Sequence, residues 1–442
     1  MSEVFSLGEV VRPNRPRVKP ELMPDAPFIG MEHVEAHTMK LLGTVPAASM
    51  KSSAIHFKPG DVLYGRLRPY LNKVFRPTFE GLCSAEFIVF PENERIDGRY
   101  LQYFLNSGAF VRFATHLNAG DRPRVDFDQI APYKIPVPSL ARQREIVAEL
   151  EKQFSRLDEA VANLQRVKAN LKRYKASVLK AAVEGRLVET EATQAHREGR
   201  TYETGEQLLR RILEERRAKW TGRGKYKEPL QPNPESPGQL PDGWTWATAD
   251  QMTYLITSGS RGWGDFYSDT GVLFIRAQDI KTDALKLPDA ARVDVSADAE
   301  GTRSSVSQDD ILVTITGANV TKSALVPALG ELAFVSQHVA LMKLCMAETA
   351  AFAFNWIVSP ANGRKTLESW AYGAGKPGLS LEQVRSLPIA LPPLAEQVRI
   401  VAEVDRHLSI VREVETEVDA ILKRAQALRQ ATLSKAFSIS VR

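Results

Sequence analysis

Four places in the sequence bring together residue types that could do chemistry, and each falls short on spacing. GAGKPG from Gly373 has the glycines and lysine of a phosphate-cradling loop, but Pro377 follows Lys376 where a Ser or Thr hydroxyl would have to reach Mg²⁺. Asn233-Pro234-Glu235 opens like the Asn- or Asp-Pro-Pro-aromatic loop of an enzyme that methylates the amino group of an extruded base, yet it lacks the second proline and the aromatic ring. His33 and His37 have the i, i+4 spacing of a zinc pair, but Glu35 is misplaced for HExxH. Asp242, with Asp279-Ile280-Lys281, is too loosely spaced for a nuclease-like acidic pattern. No self-contained enzyme emerges, and the chain is expected to hold no catalytic residue, metal or cofactor of its own.

What the sequence does offer is two sets of polar loops. In the first half, Arg66, Arg68, Tyr70, Asn72 and Lys73 crowd GRLRPYLNKV, and Arg122 and Arg124 lie in AGDRPRV. Arginine can grip guanine O6 and N7, and asparagine can pair with adenine. In the second half, Ser258, Ser260 and Arg261 stand among glycines that allow close backbone approach, with Trp263 beside them. Thr316, Asn319 and Lys322 in TITGANVTKS and Lys376 in GAGKPG complete that set. The bland readings are a solvated basic loop touching only phosphates and, for Trp263, a core aromatic. Gln337 and His338 are expected at the start of a strand and stay outside the set.

The elements that must position these loops come in duplicate. LARQREIVAEL from Leu140 returns as LAEQVRIVAEV from Leu394, 394 − 140 = 254 residues later. AGDRPRVDFDQI from Ala119 lies opposite GAGKPGLSLEQV from Gly373 at the same offset, and CSAEFIVF from Cys83 opposite VSQHVALM from Val335 at 252. PGDVLYGRLRPYLNKV from Pro59 matches QDDILVTITGANVTKSALV from Gln308 at 249, and FIGMEHVE from Phe28 matches FIRAQDIK from Phe274 at 246. An offset that drifts in one direction is what two copies of a domain produce when their loops differ in length. Short alternating runs (60–66, 86–90, 311–315, 339–344) predict strands, and 100–105 and 351–358 predict helices, so each copy is mixed α and β.

Each copy ends in a run of about 40 residues with apolar spacings of three and four, introduced by prolines. Val147, Leu150, Phe154, Leu157, Val161, Leu164, Leu171 and Val178 form the first seam; Val401, Val404, Leu408, Val411, Val418, Leu422, Ala425 and Leu428 form the second. A narrow seam on a long helix needs another helix, and the nearest candidate is the duplicate. The polar faces carry mixed charge, unlike a lipid-binding helix. Between the copies, 205–220 has helical spacing, and 222–244, rich in proline and glycine, reads as an extended linker.

Bulk properties bound the rest. A chain of 442 residues with 43% hydrophobic and 25% charged residues holds more than one core. Two cysteines, Cys83 and Cys345, exclude a disulfide framework and fit a reducing cytoplasm. No export signal and no membrane span are expected. A formal charge of +5 is compatible with a nucleic-acid partner but too mild to establish one.

Taken in order, LARQREIVAELE and LPPLAEQVRIV heading long helices, FKPGDVLYGRLRPYLNKV with CSAEFIVF, FIRAQDI, DDILVTITGANVTKS with VSQHVAL, LPDGWTW and SGSRGW resemble the specificity subunit of type I DNA restriction-modification systems across essentially the whole chain. The one large departure is the C-terminal FSISVR, which lacks the Gly-Arg-Leu that follows the first helix at 185–187. The resemblance implies an α+β chain with two target recognition domains in tandem (1–138 and 241–392), two long antiparallel coiled-coil helices (139–187 and 393–442) with pseudo-twofold symmetry, and a linker with a short helix (188–240). It also implies that each domain reads one half of a bipartite, asymmetric site in double-stranded DNA. The helices would space the halves and dock two modification subunits, which bind S-adenosylmethionine and methylate adenine, and two motor-nuclease restriction subunits can join. The alternative is a non-catalytic coiled-coil scaffold whose globular parts bind protein.

Overall fold

The computed structural model describes residues 3–13, 16–221, 224–233, 238–260, 262–281, 283–294, 303–372 and 377–438. The chain is α+β and divides into two compact units, Met1–Val167 with Glu417–Arg442, and Lys168–Thr416. Each unit takes the N-terminal half of one long helix and the C-terminal half of the other.

In the first unit a five-stranded sheet runs in the order Arg17–Val18, Ala54–Phe57, Gly81–Cys83, Pro27–Ile29, Val45–Pro46, beside a three-stranded sheet of Val74–Phe75, Val62–Gly65 and Phe87–Phe90. In the second unit Thr253–Ser258, Val339–Leu344, Ile311–Thr314 and Ser323–Leu325 form one sheet, and Tyr267–Ser268, Ala291–Val293, Val272–Ile275 and Ala333–Val335 another. The strands are short and mostly buried, so β-branched and aromatic residues dominate them.

The duplication holds at the level of register. Phe28 pairs in parallel with Leu82 and Ile29 with Cys83; in the second unit Phe274 pairs in parallel with Phe334 and Ile275 with Val335. Leu63 faces Val89 as Leu312 faces Leu341. Each globular part is closed by its own first and last strands, Glu3–Ser6 against Lys134–Val137 and Thr245–Thr248 against Pro388–Leu391.

The twice-written phrase has a structural reason in its glutamine. Gln143 and Gln397 are 0% and 1% exposed. Gln143 Nε2 donates to the carbonyls of Pro138 (2.8 Å) and Arg95 (3.2 Å), while its Oε1 accepts from Asp97 N (2.8 Å). Gln397 Nε2 donates to Pro392 O (2.9 Å). In both helices the buried amide N–H donates to the carbonyl of the proline just after the preceding strand and so ties the helix's first turn to it; Gln143 is satisfied at Nε2 and Oε1, whereas Gln397 Oε1 is buried without a partner among the described residues.

The helices span Leu140–Val183 and Leu394–Ala436. Val147, Leu150 and Phe154 join the first unit's core together with Leu433 and Phe437. Phe437 meets Tyr100 at 5.1 Å, and Arg429 lies 4.4 Å over the Phe154 ring while pairing with Asp158 at 2.7 Å. In the second unit Val178, Leu179, Ala182 and Val183 share a core with Ile400 and Val404, and Tyr174 Oη lies 2.7 Å from His407 Nδ1. In both units higher numbers on one helix meet lower numbers on the other, so the helices pack antiparallel. Leu157, Val161, Leu164, Leu171, Val401 and Leu408 are half-buried, and Val411 and Val418 fully buried. Leu428 corrects the expected seam: it is 57% exposed, because the buried row runs Val404, Val411, Val418, Ala425 at intervals of seven and then passes to Leu433.

The stretch between the copies carries two helices, Glu191–Glu198 and Gly205–Ala218. Leu208 and Ile212 of the latter are in the second unit's core. Glu396, fully buried, accepts from Glu191 N (2.8 Å) and Trp244 Nε1 (3.0 Å); burial pushes its carboxyl up while those hydrogen bonds pull it down. No helix among the described residues is long and apolar enough to cross a membrane.

Truncating Phe154 to Ala is expected to cost about 3–5 kcal/mol, whereas Leu428→Ala should change stability by less than about 0.5 kcal/mol. Urea midpoints of the two variants check both the seam and its correction.

Candidate nucleic-acid interface

Two loops meet in each unit, held by main-chain hydrogen bonds in one pattern. In the first unit Arg66 N donates to Glu86 O (2.8 Å), Arg68 N to Pro123 O (2.7 Å) and Val125 N to Arg66 O (3.0 Å). In the second, Ile315 N donates to His338 O (2.9 Å), Gly317 N to Pro377 O (3.0 Å) and Leu379 N to Ile315 O (2.8 Å). The isolated bridges Leu67–Arg124 and Thr316–Gly378 are counterparts as well. The loops that the sequence marks separately therefore form one surface per unit: 66–73 beside 119–126, and 315–322 beside 377–380.

The side chains on this shared frame differ. On the first unit Arg124 forms a two-pronged pair with Glu86 (2.9 and 3.1 Å), which raises the arginine's pKa, and Arg66 pairs with Asp126 at 2.5 Å. Arg66 Nε and Arg68 Nε are buried and without hydrogen-bond partners among the described residues. Arg68 and Asn72 adopt the left-handed conformation, with φ of 50° and 46°, at the two ends of the short 3₁₀ turn Pro69–Leu71. Tyr70 is exposed, Arg122 is exposed with no ion-pair partner among the described residues, and Lys73 donates to Met31 O at 2.5 Å. On the second unit the same frame carries Ile315, Thr316, Gly317 and Gly378, without arginine among them.

Two expected contacts are corrected. Asn72 is 2% exposed and its Nδ2 donates to Asn106 O (3.3 Å), so it holds the turn from inside. Trp263 is 7% exposed, its ring 4.8 Å from Phe274 and 6.1 Å from Phe334, which is the core placement. Asn319 Nδ2 is engaged with Ala277 O (3.0 Å), while Thr316 and Lys322 are half-buried. Ser258 ends a strand, and Ser260 Oγ accepts from Arg303 at 3.3 Å. Arg261 and Lys376 lie outside the described residues. Among the described residues no group of three His, Cys, Asp or Glu could hold a metal ion.

Sequence reasoning did not single out Glu86, which fixes Arg124, and it placed Gln337 and His338, which line a cleft in the second unit, outside the contact set. The offset of 252 aligns Glu86 with His338, so comparing the two copies position by position would have singled out both.

The chain is similar to known proteins in three ways. A family model described as the type I restriction modification DNA specificity domain matches residues 2–172. The EcoDI specificity subunit of a type I restriction enzyme from Escherichia coli is 29% identical over 169 residues, 37% of this chain and 37% of that protein. The StySPI specificity subunit from Salmonella potsdam is 24% identical over 373 residues, 82% of this chain and 69% of that one. The match thus spans little more than a third of the first relative's length. A solved chain described under "complex assembly and conformational transition of the type I R-M system" superposes with a TM-score of 0.69 at 18% identity, covering 98% of this chain and 97% of that chain, a likeness of fold.

If this surface meets a polyanion, Arg122→Ala should weaken duplex DNA binding evenly across sequences and reduce the salt slope by roughly 1. Fluorescence anisotropy over a salt series measures it. Trp263→Ala should instead lower stability by about 3–5 kcal/mol, as a core truncation does.

Proposed function

We propose that the chain is a specificity subunit of a type I restriction-modification system and that it selects the DNA sequence at which the partner subunits of such a complex act. Each unit reads one half of a bipartite, asymmetric site in double-stranded DNA. The helices Leu140–Val183 and Leu394–Ala436 set the unread spacer and dock two modification subunits for adenine-N6 methylation. S-adenosylmethionine is bound by those partners and not by this chain, and two motor-nuclease subunits add restriction.

One observation carries this reading: an identical main-chain frame, Arg66–Glu86–Pro123 in one unit and Ile315–His338–Pro377 in the other, presents different side chains. Duplicated frames suit the near-symmetric geometry of a DNA duplex, which dimeric readers meet with twofold symmetry. Different side chains on them suit two unlike half-sites, since base edges are discriminated by donor and acceptor pattern. Phosphate contacts from exposed cations such as Arg122 would position the protein without specifying sequence.

Co-expression with a modification subunit, followed by mapping of N6-methyladenine across a host genome, tests the proposal. The expected result is one bipartite motif with a fixed spacer. Exchanging the loops 66–73 and 119–126 for those of another family member should change one half of the motif and leave the other half and the spacer intact. A stable complex that methylates no defined motif would favour the scaffold reading.

A further inference from the structure

The second unit contains a cleft of ≈ 360 Å³ with an apolar wall of Trp263, Tyr267 and Phe274 and a polar side formed by Ser336, Gln337 and His338. Its size lies within the range of sites that hold small molecules or parts of larger ones, roughly 300–1,000 Å³. Ser336 Oγ and Trp263 Nε1 are buried and have no hydrogen-bond partner among the described residues. Buried polar groups are normally satisfied, so these two point to an occupant with polar atoms.

The edge of the cleft narrows the chemistry of that occupant. Gln337 Nε2 lies 3.3 Å from His338 Nε2. When that ring nitrogen carries no proton it accepts one amide N–H, a tautomer assigned from the contact, and the glutamine's Oε1 and second N–H are left without a hydrogen-bond partner among the described residues. An amide held in that way matches the N6 donor and N7 acceptor of adenine, while the exposed ring of Tyr267 at the same cleft suits the C5-methyl of thymine; both lie on the major-groove edge of one base pair. The charged group at the cleft, Arg276, is committed to Asp279 through Nε (3.1 Å), so it is not free to grip guanine. In the first unit the matching residues are Ala85 and Glu86, and Glu86 is bound to Arg124.

Resting on the DNA-reading function above, we infer that the Gln337–His338 pair reads an A·T base pair in the half-site taken by the second unit. Gln337 contacts the adenine, and His338 is a positioning residue that fixes the orientation of the amide.

The test maps N6-methyladenine in cells that co-express a modification subunit with the wild-type chain, Gln337→Ala, the near-isosteric Gln337→Glu, or His338→Ala. In Gln337→Ala one A·T position of a single half-site should become degenerate, with preference for that pair falling roughly ten-fold or more, while the other half-site and the spacer persist. His338→Ala should relax the same position, less strongly; a merely structural role would not single out one base pair. Gln337→Glu, should the alanine variant fail to fold, must likewise lose its preference for adenine. An unchanged motif in the glutamine variants overturns the inference and leaves the general function standing, as does even loss of methylation at all sites from an intact complex. A wild-type complex with no bipartite motif overturns both.

Discussion

Everything proposed for the two surfaces depends on a short main-chain clip. In each unit a residue just past a core strand donates to the carbonyl of the residue preceding a second loop's turn of direction, Arg68 to Pro123 and Gly317 to Pro377. Proline has no N–H to offer in return, so the carbonyl is the group it contributes to the clip. Because the clip uses backbone groups, the side chains it displays are free to differ between copies without disturbing it. Rigid scaffold and variable display are thereby separated within a few residues of one another.

The charged groups on that display constrain one another. Glu86 holds Arg124 at two points and Asp126 holds Arg66, so these two arginines of the first unit are oriented by carboxylates instead of sweeping through solvent. Such exposed pairs contribute little to stability; their effect is on direction, reducing the freedom that an arginine would lose on contact with a partner. The second unit reaches order by another route, tying Asn319 to Ala277 and Arg276 to Asp279. The two units are alike in frame and unlike in how their polar groups are held.

The duplication, the mixed α and β character and the two long helices were legible in the sequence because each leaves a periodic or repeated trace. A fixed offset between copies survives loop changes, and the buried row of a long helix repeats for six turns or more. Burial of single polar and aromatic residues was not legible. Asn72 and Trp263 sit in glycine- and arginine-rich loops that look solvated, and only the left-handed turn around Pro69–Leu71 and the packing of Phe274 and Phe334 draw them inside. Leu428 looked like seam because leucine three or four residues from other apolar positions always does; the row had already moved to Ala425 and Leu433. Ion pairs between distant loops, such as Glu86 with Arg124, leave no trace in one copy read alone.

The strand pairs Glu3–Ser6 with Lys134–Val137 and Thr245–Thr248 with Pro388–Leu391 place the entrance and exit of each globular part side by side. A module whose ends are neighbours can be lifted out and replaced, or opened at another point and rejoined, with little demand on the segments that flank it. Each globular part is in this sense a plug with two adjacent pins, and the long helices are the socket. Recombination at those pins would exchange whole globular parts between chains while leaving the helical seam untouched, so new combinations need not wait for point changes to accumulate in the loops.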